Sequence, residues 1–387
     1  ASLTDGGFRS IDPSKLPRDP SHGCAAVYPW NFLRTNTVFG VIHAAGGRTA
    51  WSDKHAVYAS VSGPTGTAIP SNVDDYYSPE INSSVVGLPG VTTPSTPNHP
   101  NGVSCATVRD TSQLGSWTDS FANIQCYDTL KVNAVLNWIK GKTHLGTGSA
   151  PVPRNFGMNF QAVSVGQKLI ESGVKGGYTD NAATPTPLML DEIEFVDAGI
   201  GAMVTELANQ HILDSTLIVI TAKHGQSPID PHQVSKTKAN SPAHLLHAFL
   251  RPSEDPTGKD IGPTEDDVSL LWLSDSSLTQ TAVTMLETNA PADGVGEIFY
   301  GPSLTTMFNA PGLPPLDPRT PDIIVQPNVG VIYSTSGKKQ AEHGGFAHDQ
   351  PSGNPGIGLA LRHRREDLTL SRGQHMQGAT RSGPSQH

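Results

Sequence analysis

Ser215-Thr-Leu-Ile-Val-Ile-Thr-Ala-Lys-His-Gly-Gln-Ser-Pro228 is the stretch whose reading decides the fold. Its residues 217–221 are a short apolar, β-branched run, bounded by polar and turn residues, which reads as a strand buried in a sheet. The strand delivers Lys223-His224-Gly225 at its carboxyl end, the place where ligands and chemistry gather in open α/β sheets. A second His-Gly pair, His343-Gly344, lies in Glu342-His-Gly-Gly-Phe-Ala-His-Asp349. Two imidazoles brought by loops to strand ends are what a catalytic metal site requires, because neutral imidazole is the commonest metal ligand. The plainer alternative, in a chain with 15 His, is a pair of ordinary loop histidines.

Immediately upstream, residues 188–211 predict a long helix, with Leu190, Ile193, Val196, Ile200, Met203, Val204 and Leu207 as its apolar stripe. Asp191, Glu192, Glu194 and Asp197 read as its solvated face. Helical spacing is also present in 31–45, ending at Gly46-Gly47, and in 128–139. Short strands are expected at 48–52, 270–273 and 297–300, with a helix at 278–287 and a strand followed by loop in 155–165. Residues 322–325 and 330–333, joined through Pro327-Asn328, read as a hairpin at a sheet edge. Alternation of helix and strand implies an α/β sheet covered by helices on both faces. Residues 62–120 are rich in Pro, Ser, Thr, Asn and Gly, and a loop that long in a compact domain is expected to be an insertion over the active face. One α/β domain is therefore expected over 1–353, followed by a basic tail at 354–387 without periodic apolar pattern and expected to be disordered.

The net charge of −9 argues against a nucleic-acid polymer as partner, and no run of about 18 apolar residues suggests a membrane span. Cys24, Cys105 and Cys126 have no zinc-knuckle spacing, and Cys105 with Cys126 is compatible with a disulfide or with free thiols. Asn82-Ser-Ser84 is a glycosylation sequon, which with the cysteines leans toward an extracellular or secretory setting. Gly63-Pro-Thr-Gly-Thr67 lacks the Gly-Lys-Ser/Thr of a phosphate-binding loop and reads as a turn. Ser52-Asp-Lys-His55 also reads as a surface turn, the alternative being that Asp53 and His55, which follow a predicted strand, contribute to the site.

Several stretches together resemble the type I phosphodiesterase / nucleotide pyrophosphatase branch of the alkaline phosphatase superfamily, in its fungal and bacterial form. They are Asp12-Pro-Ser-Lys-Leu-Pro-Arg-Asp19, Gly46-Gly-Arg-Thr-Ala-Trp-Ser-Asp-Lys-His55 and Asn155-Phe-Gly-Met-Asn-Phe-Gln-Ala-Val-Ser-Val-Gly-Gln167, then Thr221-Ala-Lys-His-Gly-Gln-Ser-Pro-Ile-Asp230, Pro321-Asp-Ile-Ile-Val-Gln-Pro327 and Glu342-His-Gly-Gly-Phe-Ala-His348. The resemblance implies an alkaline-phosphatase-like three-layer sandwich with a mixed, mostly parallel sheet. It also implies hydrolysis of phosphodiester or pyrophosphate bonds in a small substrate, aided by divalent cations: zinc first, with manganese or calcium as alternatives. By that correspondence His224 and His343 are metal ligands. Lys223 stands where the family has an anionic ligand, so its role is electrostatic support of a phosphate. Val163 and Gln167 fall where an Asp and a His are usual, which weakens the first metal site. The family's first strand and nucleophile turn normally precede the region matched by 12–19, so the domain is expected to be incomplete at its N-terminal end.

Two other readings compete. A non-catalytic scaffold that binds ligands accounts for the lysine at 223 and the missing ligands. A serine esterase would use Ala162-Val-Ser-Val-Gly166 as a nucleophile elbow, with Ser164 as nucleophile, His343 as base and Asp322 as orienter. Oligomeric state is left open by the sequence.

Overall fold

The computed structural model describes residues 7–19, 22–82, 87–106, 116–237, 241–250, 265–308, 320–334, 336–345 and 359–362. Its helices are α1 (Val38–Ala44), α2 (Phe121–Ile139), α3 (Ala162–Lys168), α4 (Pro187–Asn209), α5 (Pro242–Leu250), α6 (Thr279–Asp293) and α7 (Pro302–Phe308). The strands, in chain order, are β1 (Arg18–Asp19), β2 (Ala25–Ala26), β3 (Thr49–Ser52), β4 (Asp75–Tyr77), β5 (Asn155–Met158), β6 (Ile170–Glu171) and β7 (Val174–Lys175). They continue with β8 (Leu217–Ile220), β9 (Ser235–Lys236), β10 (Ser269–Leu271), β11 (Val295–Tyr300), β12 (Ile323–Pro327), β13 (Val331–Ile332) and β14 (Leu359–Arg362). The chain is mixed α/β.

A parallel sheet in the order β4-β3-β5 forms the centre. Side chains alternate across a strand, so its two faces belong to different cores. Ala50 and Tyr77 pack under Ala134, Val135 and Trp138 of α2 and Leu207 of α4. Tyr76 on the opposite face joins Trp30, Ala59 and Val73, with Phe39 of α1 and Trp51 against them. Gly157 makes the second face possible, since a Cβ there would sit 2.9 Å from the Trp51 ring. Helices therefore cover both faces. β4 lies inside the stretch expected to be an insertion, because its Asp75-Tyr-Tyr77 is too short to show a period among turn residues.

The second unit is an antiparallel sheet, β10-β12-β11, packed on α5 and α6. The expected hairpin at 322–333 is not formed. β12 is instead the central strand of this sheet, and β13 leaves it to run parallel with β9. Pro327 ends β12 because it has no N–H for the ladder. Gly330 then turns the chain at φ +83, a conformation that favours glycine. β8 pairs antiparallel with β14, which falls within the tail expected to be structureless; the rest of that tail lies outside the described residues, as do Ser83 and Ser84 of the sequon. β8 is less buried than its composition predicts: Ile218 faces the α2–α4 core while Leu217 and Val219 are exposed.

Two helices depart from their expected form. Residues 162–168, of which 162–165 fall in the stretch expected to be strand and loop, are α3, whose first amides at Gln161 and Ala162 both donate to Asp128 Oδ2 of α2, at 2.6 and 2.8 Å. That cap comes from a distant residue and is invisible in the local sequence. α4 has the expected length, with the Thr186 hydroxyl oxygen accepting from Met189 N, but its buried face is rotated. Met189, Glu192, Phe195, Gly199 and Leu207 are buried, whereas Leu190 and Ile193 of the expected stripe are 43% and 39% exposed. Glu192 is thus a buried acid, not part of a solvated face. Cys105 and Cys126 form a disulfide that ties the 87–106 segment to α2.

Candidate anion and metal site

The site collects at the carboxyl ends of β3, β5 and β8, which carry Asp53, Asn159 and the Lys223-His224 loop. Asp53 is buried, contrary to the surface turn expected of 52–55: its Oδ1 accepts from Lys54 N (2.8 Å) and Asn159 Nδ2 (3.1 Å), its Oδ2 from Trp51 Nε1 (3.0 Å). Ser227 and Glu342 exchange two backbone hydrogen bonds of 2.9 Å, which sets the loop after β8 beside the segment carrying His343. α3 braces the same loop, with Gln226 Nε2 donating to Ser164 Oγ at 2.7 Å and Gln167 Nε2 donating to Gln226 O. As a result the rings of His224 and His343 lie 4.1 Å apart, centroid to centroid. These two residues, 119 positions apart by their numbers (343 minus 224), are neighbours in space.

Lysines surround the imidazoles. Lys223 is exposed, donates from Nζ to Tyr58 Oη at 2.9 Å, and stands 4.4 Å from the centroid of that ring. Lys54 Nζ approaches the same ring at 5.7 Å. Burial and then the charges of Lys223 and Lys168 bring the Lys54 ammonium down to about 8, with Asp53 opposing. Burial also lowers Lys168, although Glu342 partly restores it. Burial lowers His224 as well; its contact with the Gly225 carbonyl opposes this and the charges of Lys223, Lys54 and Lys168 add to it. His343 falls to about 3 through burial, then through His224 and the lysines. Both imidazoles are therefore neutral at physiological pH. His224 Nδ1 lies 2.9 Å from Gly225 O, so it holds the proton and leaves the lone pair on Nε2.

Asp266, Glu342 and His343 offer one donor atom each, all within 4.8 Å of one another, and His343 Nε2 is 3.7 Å from Asp266 Oδ2. Two oxygens and an imidazole nitrogen are a suitable donor set for one cation such as zinc or manganese. Among the described residues this is the one such donor group, and the charges that act on His224 include Lys223, Lys54 and Lys168. His224 adjoins the donor group through the His343 ring. Asp266 had no recognisable motif around it, and Glu342 was visible only as the residue before His343.

The serine triad is not assembled. Ser164 lies within α3 instead of at its entry turn and is engaged by Gln226, while Asp322 accepts from Leu273 N at 2.7 Å beside the antiparallel sheet.

No protein-family model and no curated protein matches the sequence. Among solved structures, murine ectonucleotide pyrophosphatase / phosphodiesterase 5 superposes with a TM-score of 0.43 at 13% identity, over 84% of this chain and 62% of that one. Phosphonoacetate hydrolase from Sinorhizobium meliloti 1021 gives 0.42 at 17% identity, over 88% of this chain and 72% of that one. An alkaline phosphatase PafA mutant gives 0.36 at 12% identity, over 70% and 51%. The chain spans less than two thirds of the murine protein's length. Likeness at this level concerns the path of the backbone and not the site.

Proposed function

We propose that the chain binds a small phosphoester at the Lys54, Lys168 and Lys223 cluster and hydrolyses it with one divalent cation. The convergence of three ammonium groups on two adjacent neutral imidazoles, beyond the carboxyl ends of β3, β5 and β8, carries this reading. Lys223, steadied by Tyr58 and open to solvent, meets the phosphoryl oxygens. Lys54 and Lys168 supply fixed positive field from partly buried positions, where it is less screened than in water. Asp266, Glu342 and His343 would hold the cation, zinc or manganese, which when bound acts as a Lewis acid toward phosphoryl oxygen. His224 Nε2, with its proton kept on the other nitrogen, is the atom able to accept a proton from an attacking water. The Cys105–Cys126 disulfide favours an oxidising, secretory compartment for this activity.

Elemental analysis together with turnover of bis-p-nitrophenyl phosphate tests the reading. Expected are near-stoichiometric zinc or manganese, turnover lost to a chelator, and inhibition by inorganic phosphate that weakens several-fold in Lys223→Ala. Absence of turnover together with no phosphate binding by calorimetry would overturn it. The lysine at 223 and the presence of one metal-sized donor group among the described residues favour a second reading, a binding scaffold without turnover. That protein would bind phosphate in the calorimeter and leave the ester intact.

A further inference from the structure

We propose that Lys339 is a built-in competitor at the cation site, an ammonium that occupies the Glu342 carboxylate until a divalent metal takes its place. Lys339 Nζ donates to Glu342 Oε1 and forms an ion pair with it. The same Glu342 offers a donor atom to the group it makes with Asp266 and His343. One carboxylate thus serves two cations, one of them part of the chain. The Glu342 side chain is only 2% exposed, so solvent does little to screen those cations from each other. Lys168 adds further positive charge, since it also interacts electrostatically with Glu342. The inference rests on the reading of Asp266, Glu342 and His343 as the cation site.

The backbone on both sides of this pair is fastened, while the lysine side chain can move. Ile170 N donates to Lys338 O at 2.8 Å, Gln340 N donates to Lys168 O at 2.9 Å, and Leu169 bridges to Lys339. Glu342 exchanges its two backbone hydrogen bonds with Ser227. Glu342 therefore cannot withdraw without breaking these contacts, and any rearrangement falls to the lysine. Its side chain is 38% exposed, which gives the flexible stem a path to water. Positive charges that share one buried carboxylate repel each other. Metal and ammonium are thus negatively coupled, and the coupling is reciprocal: the lysine weakens the metal and the metal releases the lysine. An ion pair that merely oriented Glu342 for the metal would act in the opposite direction.

Zinc titration of the full chain by calorimetry tests the inference, with Lys339→Met and Lys339→Arg beside the parent protein. Expected is zinc bound about tenfold tighter by Lys339→Met, and no tighter than in the parent by Lys339→Arg, which keeps the charge. In the parent, acetylation of Lys339 mapped by mass should rise when zinc is added, and His343→Ala should abolish that rise. Equal or weaker zinc binding by Lys339→Met, or Lys339 acetylation indifferent to zinc, overturns the inference. Acetylation of the parent needs no variant, so it decides the matter even where Lys339→Met does not fold. A parent that binds zinc through His343, with Lys339→Met binding it equally, refutes the role of Lys339 alone. A parent that binds no zinc refutes the cation site together with it.

Discussion

At the scale of single residues, Lys54 sets how the site responds to pH. Its folded value of about 8 lies below that of an ordinary lysine, so its charge is present below pH 8 and lost as pH rises through it. Phosphate affinity should therefore weaken roughly threefold to tenfold between pH 7 and 9, the loss of one of three charges. Lys54→Arg, which stays charged throughout, should flatten that profile in a phosphate titration; an unchanged slope would remove Lys54 from the anion site. The facing groups are Lys223, Lys168, Lys131, Asp53 and the Tyr58 ring. Lys223 and the two histidines were legible in the sequence as residues following a strand. Lys54 and Lys168 were not, because they come from separate elements, after β3 and at the end of α3.

At the scale of elements, the junction of α2, α3 and α4 holds a buried acid and a buried ion pair. Burial lifts Glu192 well above the ordinary carboxyl range; the Gln125 side chain lowers it and the charge of Asp128 raises it further. A raised folded value contributes stability fully present below the unfolded value of about 4.3 and lost as pH climbs toward the folded one. Thermal unfolding of Glu192→Gln should accordingly show a smaller loss of stability between pH 5 and 8 than the parent protein. Asp128 and Lys131 are both 0% exposed and 2.8 Å apart, with Lys131 also donating to Asn159 O. Asp128→Ala strands the lysine and uncaps α3, so denaturant unfolding should register a loss of about 3–5 kcal/mol. A loss below 1 kcal/mol would show that α3 stands without this cap. α4 was recognisable by its period, yet its buried face was not. Gly199 lets α4 approach Val132 of α2 and Phe160, and that close approach rotates the face toward Glu192 and Phe195.

At the scale of the whole molecule, the Cys105–Cys126 bond closes a loop of 21 residues' separation. Restricting the unfolded chain over such a loop contributes about 3 kcal/mol. Reduction, or Cys105→Ser with Cys126→Ser, should lower stability by that amount, as read from the urea midpoint; an unchanged midpoint would show the loop to be constrained by other contacts. The order of residues along the chain was sufficient for the α/β class, for the existence of α4, α6, β3 and β11, and for the two His-Gly loops. Each of these rests on local signals, a period, a cap or a strand end followed by glycine. Tertiary contact alone decided that β12 is central instead of half a hairpin, that β14 pairs with β8, and that Asp128 caps α3. It also decided that lysines from three separate elements surround two imidazoles. Pairing partners and electrostatic neighbours are set by distance in space, and the chain encodes that distance only through the packing of all its elements at once.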